Sequence, residues 1–166
     1  LEEYEDRYEL RWVSEPDRGQ SHALNKGIDM ADGEWIGWQN SDDFYMPGSF
    51  SKFDETRRSH PDADVVYGDI VIVDRHGRRI NQAFHIPPSR FVQRYSNIMA
   101  NQAMFIRSSA FEEIGQMNES FDFTMDIELF WRMTHSNLEL VHVPEFLGAF
   151  RTYEEAKTGG EKTDRH

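Results

Sequence analysis

The chain has 166 residues, no cysteine, and 30 acidic against 18 basic side chains, which gives a formal net charge of −12 at pH 7. This length fits one domain with a core of its own. The lack of cysteine excludes disulfides, thiolate catalysis and cysteine-ligated zinc or iron–sulfur sites, and the acidic balance argues against a nucleic-acid-binding surface. No stretch approaches the roughly 18 apolar residues that a membrane-spanning helix needs. We therefore expect a soluble cytoplasmic protein that is at most peripheral to the membrane.

Hydrophobic periodicity predicts strands and helices that alternate along the chain. Residues 8–14 alternate weakly and are predicted as a strand, 21–31 as a helix, and the aromatic and β-branched stretch 34–40 as a second strand. This order suggests a βαβ unit and a parallel sheet. Further predictions are a helix over 49–59, strand material over 65–74 with a hairpin reversal at 75–78, a short helix from 87 to 95, a strand over 102–107, helices over 108–114 and 124–134, and a strand over 138–143. The chain is therefore expected to form an α/β domain with a mixed sheet.

Two adjacent carboxylates, Asp42 and Asp43, follow the strand predicted over 34–40. Open α/β sheets bind ligands at the carboxyl ends of their strands, and neighbouring carboxylates repel each other unless a cation or a proton intervenes. A Mg²⁺ or Mn²⁺ ion that also binds substrate phosphates would relieve this repulsion. The alternative is an Asx-type turn that caps the helix predicted to begin near Pro47.

Three separated stretches together resemble the inverting family 2 glycosyltransferases of the GT-A fold. They are Ser14 through Gly33-Glu34 into Asn40-Ser41-Asp42-Asp43, then Tyr67-Gly68-Asp69, and finally Gln102-Ala103-Met104-Phe105 with Gly115 to Phe121 and Met125 to Arg132. The resemblance implies a GT-A-like, Rossmann-like mixed sheet flanked by helices. It also implies transfer of a sugar from a nucleotide-diphosphate donor to a hydroxyl acceptor, with inversion and with the help of Mn²⁺ or Mg²⁺. The acceptor would be a carbohydrate or a lipid-linked molecule, and cell-envelope polysaccharide biosynthesis is the expected setting.

The resemblance also assigns site residues. Asn40-Ser41-Asp42 stands at the family's DxD position, so Asp42, together with Asp43, would hold the metal ion, and Asn40 and Ser41 would contact the donor. Asp17, Arg18 and Gly19 fall where the family contacts the nucleotide, and Lys157 falls where a loop contacts the diphosphate, although Tyr153 replaces the family's histidine nearby. Without the resemblance, residues 17–19 would be interpreted as an ordinary turn before a helix.

Asp126 occupies the position of the family's catalytic base, and Met125 replaces the acidic residue before it. One carboxylate is sufficient to take a proton from the acceptor hydroxyl. A position near a helix N-terminus favours the ionised form. From the residues alone, a helix-capping Asp is the alternative.

The family normally begins with strands that have no counterpart upstream of Leu1 in this sequence. We therefore expect residues 1–157 to form a partial catalytic domain, 158–166 to be a flexible tail, and the N-terminal region either to be rearranged or to cover its sheet edge by self-association. Two other functions stay open: a non-catalytic GT-A-like interaction domain, and a metal-dependent phosphohydrolase built on the Asp pair.

Overall fold

The computed structural model describes residue 4 and the ranges 7–121 and 123–153. The helices are α1 (Gln20–Met30), α2 (Ser49–Ser59), α3 (Arg90–Gln93), α4 (Ala110–Ile114) and α5 (Met125–His135). The strands are β1 (Trp35–Gly37), β2 (Phe44–Tyr45), β3 (Val65–Val73), β4 (Arg79–Ala83), β5 (Met104–Arg107) and β6 (Leu140–Arg151), and a 3₁₀ turn, Asn101–Ala103, precedes β5. Within these ranges, no helix is long and apolar enough to cross a membrane.

The strands form one mixed sheet in the order β1-β5-β3-β6-β2, with β4 paired to β3. Only β3 and β6 run parallel among the described strands, from Val65 opposite Leu140 to Val73 opposite Arg151; the other pairs are antiparallel. The expected mixed α/β sheet and the hairpin that contains the reversal at 75–78 are confirmed. The parallel neighbour expected for β1 is not found, because β1 pairs with the antiparallel strand β5.

Each face of the sheet is covered by an apolar layer. Val65 and Tyr67 of β3 point to one face and pack in a cluster with Leu129 and Phe130 of α5. Val66, between them, points to the other face and packs in a second cluster with Phe105, against which Phe53 of α2 packs. Alternation along β3 thus supplies both layers, as expected of a central strand buried on both sides.

The strand predicted over 8–14 is wrong, since residues 9–17 have no regular secondary structure. A strand requires a partner for its backbone N–H and C=O groups, and no described strand pairs with this segment. Among the strands that the structure describes, β1 has a partner on only one side. Beside it, a groove of about 380 Å³ lies between α1 and β1 and is lined by residues that include Leu24, Ile28 and Trp38.

The last strand is longer than predicted. Residues 138–143 were expected to form it, whereas β6 continues past Pro144 to Arg151. The β3–β6 register shifts around Asp69, opposite this region, so the irregularity accommodates the proline without ending the pairing. This extension carries the end of β6 to the loop that contains the Asp pair.

Candidate donor and catalytic site

The carboxylate of Asp43 is held by three N–H donors, one from its own loop and two from distant parts of the chain. Its Oδ2 accepts hydrogen bonds from Asn40 Nδ2 and Gln102 Nε2, both at 2.9 Å, and its Oδ1 accepts one from the backbone N–H of Arg151, also at 2.9 Å. Gln102 is 6% exposed, so water cannot replace Asp43 as its partner without rearrangement. Asp43 therefore ties the loop after β1 to the 3₁₀ turn and to the end of β6.

The neighbouring carboxylate of Asp42 has a different environment. Its Oδ2 accepts a hydrogen bond of 3.0 Å from the Tyr153 hydroxyl, and its backbone carbonyl accepts one of 2.8 Å from Arg151 Nε. Ser41, on the other side, is exposed. Asp42 is half-buried at the surface and keeps lone pairs that a ligand can use.

The amide of Asn40 is oriented by its own partners. Its Oδ1 accepts hydrogen bonds from Gln20 Nε2 at 3.0 Å and from Trp38 Nε1 at 3.4 Å, while its Nδ2 donates to Asp43. The amide oxygen of Asn40 is thus engaged by two N–H groups. Among the described residues, no group of three or more histidine or acidic side chains could hold a metal ion. A divalent ion here would fit only as a bridge between the Asp42 carboxylate and oxygens of a bound ligand, a common arrangement for Mg²⁺.

Asp17, Arg18 and Gly19 lie immediately before α1 and are held by ion pairs. Asp17 Oδ1 lies 2.7 Å from Lys26 Nζ, and Arg18 pairs with Glu119 at 2.7 Å. Hydrogen bonding to Arg18 lowers the pKa of Glu119 below its usual value of 4.5. Gly19 has φ 137°, a backbone conformation that side chains larger than glycine's disfavour. The Arg18 side chain remains largely exposed and can reach a ligand.

The first turn of α1 joins the Asp42 loop to the start of α5. Gln20 bonds Asn40, as described above, and the next residue, Ser21, contacts Met125 Sδ at 3.0 Å and the Phe121 carbonyl at 3.1 Å through its hydroxyl. Two consecutive residues of one helix therefore hold the Asp42 loop and the helix turn that carries Asp126.

Asp126 lies in the first turn of α5, near the helix N-terminus as predicted. Its Oδ1 accepts a hydrogen bond of 2.9 Å from the backbone N–H of Ile127. Burial nevertheless outweighs the backbone hydrogen bonds and raises the pKa of Asp126 above its ordinary value of 3.8. The helix N-terminus therefore does not lower this pKa as expected, and the carboxylate is a stronger base than an exposed aspartate.

Sequence reasoning did not identify Gln20, Gln102 or Arg151 as part of the site. Gln102 lies in one of the stretches that resemble the family, and Arg151 lies two residues before Tyr153. Neither sequence position indicates a hydrogen bond to Asp43. Glu128 and Arg132 form an i,i+4 ion pair at 2.7 Å, and Arg132 also donates to the carbonyls of residues 114–116. Lys157 lies outside the described residues.

Known proteins share this fold and parts of this sequence. A PGL/p-HBAD biosynthesis glycosyltransferase of Mycobacterium bovis (strain BCG / Pasteur 1173P2) is 29% identical over 103 residues, which cover 61% of this chain and 38% of that protein. An uncharacterized glycosyltransferase of Rickettsia felis is 24% identical over 132 residues, covering 75% of this chain and 22% of that protein. The crystal structure of S. aureus TarS 1-349 in complex with UDP-GlcNAc superposes with a TM-score of 0.69 at 16% identity, covering 93% of this chain and 46% of that one. The chain thus spans less than half the length of each of these proteins.

The match to a family extends over most of the chain. The family model described as Glycosyl transferase family 2 matches residues 1–117, which include the 17–19 turn, the Asp42 loop and β5. The fold agrees with this match, since the TarS likeness supports the same α/β architecture. The chain therefore belongs to glycosyl transferase family 2.

Proposed function

We propose that this chain supplies the catalytic part of a glycosyltransferase that moves a sugar from a nucleotide-diphosphate donor to a hydroxyl group of a carbohydrate or lipid-linked acceptor, with inversion at the anomeric carbon. The observation that carries the proposal is the first turn of α1, where Gln20 bonds Asn40 of the Asp42 loop and Ser21 contacts Met125, the neighbour of Asp126. A carboxylate suited to a donor's metal ion and a carboxylate suited to be a base are thereby held by one rigid element.

In this proposal Asp126 is the catalytic base. Its carboxylate takes the proton of the acceptor hydroxyl as that oxygen forms a bond to the anomeric carbon, and the bond from that carbon to the nucleoside diphosphate breaks. Attack from the face opposite the leaving group inverts the configuration. The raised pKa of Asp126 supports the assignment, because a more basic carboxylate accepts a hydroxyl proton more readily.

The donor is proposed to lie between the 17–19 turn and the Asp42 loop. Arg18 would pair with phosphate in exchange for part of its contact with Glu119, Asp17 and Gly19 would contact the nucleotide, and Ser41 would contact the sugar diphosphate together with Asn40. Lys157 remains a proposed phosphate contact.

Asp42 is the proposed metal ligand. When bound, Mn²⁺ or Mg²⁺ would neutralise charge on the departing diphosphate. Asp43 was predicted as a second ligand. Because N–H donors bind both of its oxygens, we now propose that Asp43 shapes the loop and that Asp42 alone contacts the ion.

Calorimetric titration of the chain with UDP and GDP, each with and without Mn²⁺, tests this function. We expect metal-dependent binding of at least one of the two nucleotides, loss of that binding in Asp42→Ala, and unchanged binding in the control Asp62→Ala, which removes an exposed carboxylate of a distant turn. Asp126→Asn should still bind the nucleotide and should lose transfer. If neither nucleotide binds with metal present, the proposal is wrong and the interaction-domain alternative is preferred.

A further inference from the structure

The charge of this acidic chain is unevenly distributed. Although 30 of its residues are acidic, none lies between Asp74 and Glu112. The first part of this interval, residues 75–95, carries five arginines and corresponds to the β3–β4 turn, β4 and α3. A positive region is thereby set against a molecule of net charge −12.

The same region exposes large apolar side chains. Phe84 is 65% exposed, Phe91 74% and Tyr95 73%, and Ile80 and Ile86 are also exposed. Phe91 and Tyr95 form an edge-to-face pair with ring centroids 5.4 Å apart. Phe84 lies 5.5 Å from the Phe146 ring, which the Arg79 guanidinium covers at 4.9 Å. Cations and rings therefore alternate on one continuous stretch of chain.

Most of these arginines lack an acidic partner. Within the described parts of the chain, no carboxylate forms an ion pair with Arg78, Arg79, Arg90 or Arg94. Asp74, the nearest carboxylate in sequence, accepts the backbone N–H groups of His76 and Arg78. Arg90 donates to the carbonyls of Thr134 and Ser136, which are neutral. The charges of Arg78, Arg79 and Arg94 are consequently available to an external anionic group.

Two hydrogen bonds fix the segment that joins β4 to α3. His85 donates its backbone N–H to the buried Asp69 at 2.9 Å, and the Tyr67 hydroxyl donates to the Ile86 carbonyl at 2.6 Å. These bonds turn His85 inward between the outward side chains Phe84 and Ile86. A framework that is fixed before binding lowers the entropy cost of using these side chains together.

We infer that this surface, which consists of Arg78, Arg79, Phe84, Phe91, Arg94 and Tyr95 and is called here the β4–α3 surface, binds the anionic headgroup layer of a phospholipid membrane. Aromatic side chains settle at the level of the headgroups, and arginine heads pair with lipid phosphates there. An anionic membrane repels the acidic remainder of the chain, so charge complementarity selects this orientation. A lipid surface also suits side chains contributed by both a hairpin and a helix, since it is broad and adapts to them. The inference concerns attachment only and does not depend on the transfer reaction.

Vesicle flotation of the full chain tests the inference, with phosphatidylcholine vesicles compared with phosphatidylcholine–phosphatidylglycerol vesicles. We expect binding to the anionic vesicles that weakens as salt is added, and at least tenfold weaker binding to the neutral ones. Arg79→Gln and Arg94→Gln should each reduce partitioning about fivefold, the equivalent of ~1 kcal/mol per arginine. Phe91→Ser should reduce it about tenfold, because the exposed ring no longer enters the interface.

A matched control removes one exposed arginine and one exposed ring elsewhere: Arg58→Gln combined with Tyr8→Ser, whose parent side chains are 71% and 67% exposed. The control should float like the wild type. The inference is overturned if the chain ignores anionic vesicles, if it binds both vesicle types equally, or if the arginine variants bind as the wild type does. It is also overturned if light scattering detects self-association that the same variants abolish, since the surface would then belong to a second copy. The two control substitutions are also made singly, and every variant is checked by circular dichroism. If the combined control does not fold, the comparison of Arg94→Gln with the wild type decides whether the inference holds.

Discussion

Substitution by alanine should have different effects at the adjacent residues Asp42 and Asp43, lowering stability at Asp43 and nucleotide binding at Asp42. Asp43→Ala removes the acceptor of three N–H groups. Asn40 and Arg151 are half-buried and can regain water, whereas the buried Gln102 cannot. Asp42→Ala removes only the acceptor of the Tyr153 hydroxyl among its side-chain contacts in the described residues.

The expected magnitudes differ accordingly. A hydrogen bond to a charged group contributes about 1.5–3 kcal/mol, and a buried donor left without a partner costs about 1–3 kcal/mol. Since two of the three donors can be solvated again, we expect Asp43→Ala to lower the free energy of unfolding by about 3 kcal/mol rather than by the full sum. In a chain of this size that corresponds to a decrease in Tm of roughly 6–12 °C. Asp42→Ala should change the free energy of unfolding by less than about 1 kcal/mol.

Thermal unfolding followed by circular dichroism measures both effects, and metal-dependent nucleotide binding measured on the same samples separates the two roles. Asp43→Ala should be destabilised whether or not it binds nucleotide, while Asp42→Ala should keep the wild-type Tm and lose binding. If Asp42→Ala unfolds as early as Asp43→Ala, or if Asp43→Ala stays within about 2 °C of the wild type, the division of roles is refuted.

Three further predictions concern the pH dependence, the packing and the assembly of the chain. Burial raises the pKa of Asp126 above 3.8, so the contribution of its protonated form to the free energy of unfolding is present below 3.8 and is lost as the pH rises through the folded-state pKa. Asp126→Asn should remove this loss and raise the free energy of unfolding measured at neutral pH in urea titrations. Equal stability of the two proteins across the pH range would contradict the assignment. Gly148→Ala places a Cβ atom 2.0 Å from the carbonyl oxygen of Gln102 and should lower the free energy of unfolding by about 3 kcal/mol or prevent folding. Gly27→Ala, in the interior of α1 with nothing within 4 Å of the added Cβ atom, should instead stabilise the chain by about 1 kcal/mol. Unfolding curves in which both variants match the wild type would show that β6 does not approach Gln102 this closely. The free edge of β1 should make the chain self-associate, so light scattering after size exclusion is expected to give a mass above the 19.5 kDa of one chain, and a monomer at every concentration would refute this.

Local pattern was enough to predict the elements that local pattern determines. The apolar spacing in α5 and the polar reversal between β3 and β4 led to correct assignments within a few residues. Residues 8–14 show why local pattern fails elsewhere. Weak alternation shows only that a segment is compatible with a strand, and without a neighbouring strand its backbone N–H and C=O groups gain no hydrogen bonds from forming one. The extension of β6 beyond Pro144 is the converse case, because pairing with β3 overrides a local breaker.

The sequence supplied candidate residues for the site but did not distinguish their contacts. Asp42 and Asp43 were proposed because they follow a predicted strand and match a family motif, and Asp126 because its position resembles that of the family's catalytic base. The distinction between the two adjacent carboxylates depends on Gln102 and Arg151, which are 59 and 108 residues away along the chain. Such separations carry no periodic signal, so only the folded chain reveals which aspartate is structural.

The first turn of α1 makes two equilibria at the site interdependent. Gln20 bonds Asn40, and the next residue of the same helix, Ser21, contacts Met125. A ligand that displaces Asn40 must therefore either break the hydrogen bond between Gln20 and Asn40 or move α1 and, with it, the segment that bears Met125. In the second case the burial of the adjacent Asp126 changes, and its proton affinity changes with it. Linkage then requires a reciprocal effect of equal size: the affinity of the Asp42 loop for its ligand becomes a function of pH through a carboxylate that the ligand does not touch.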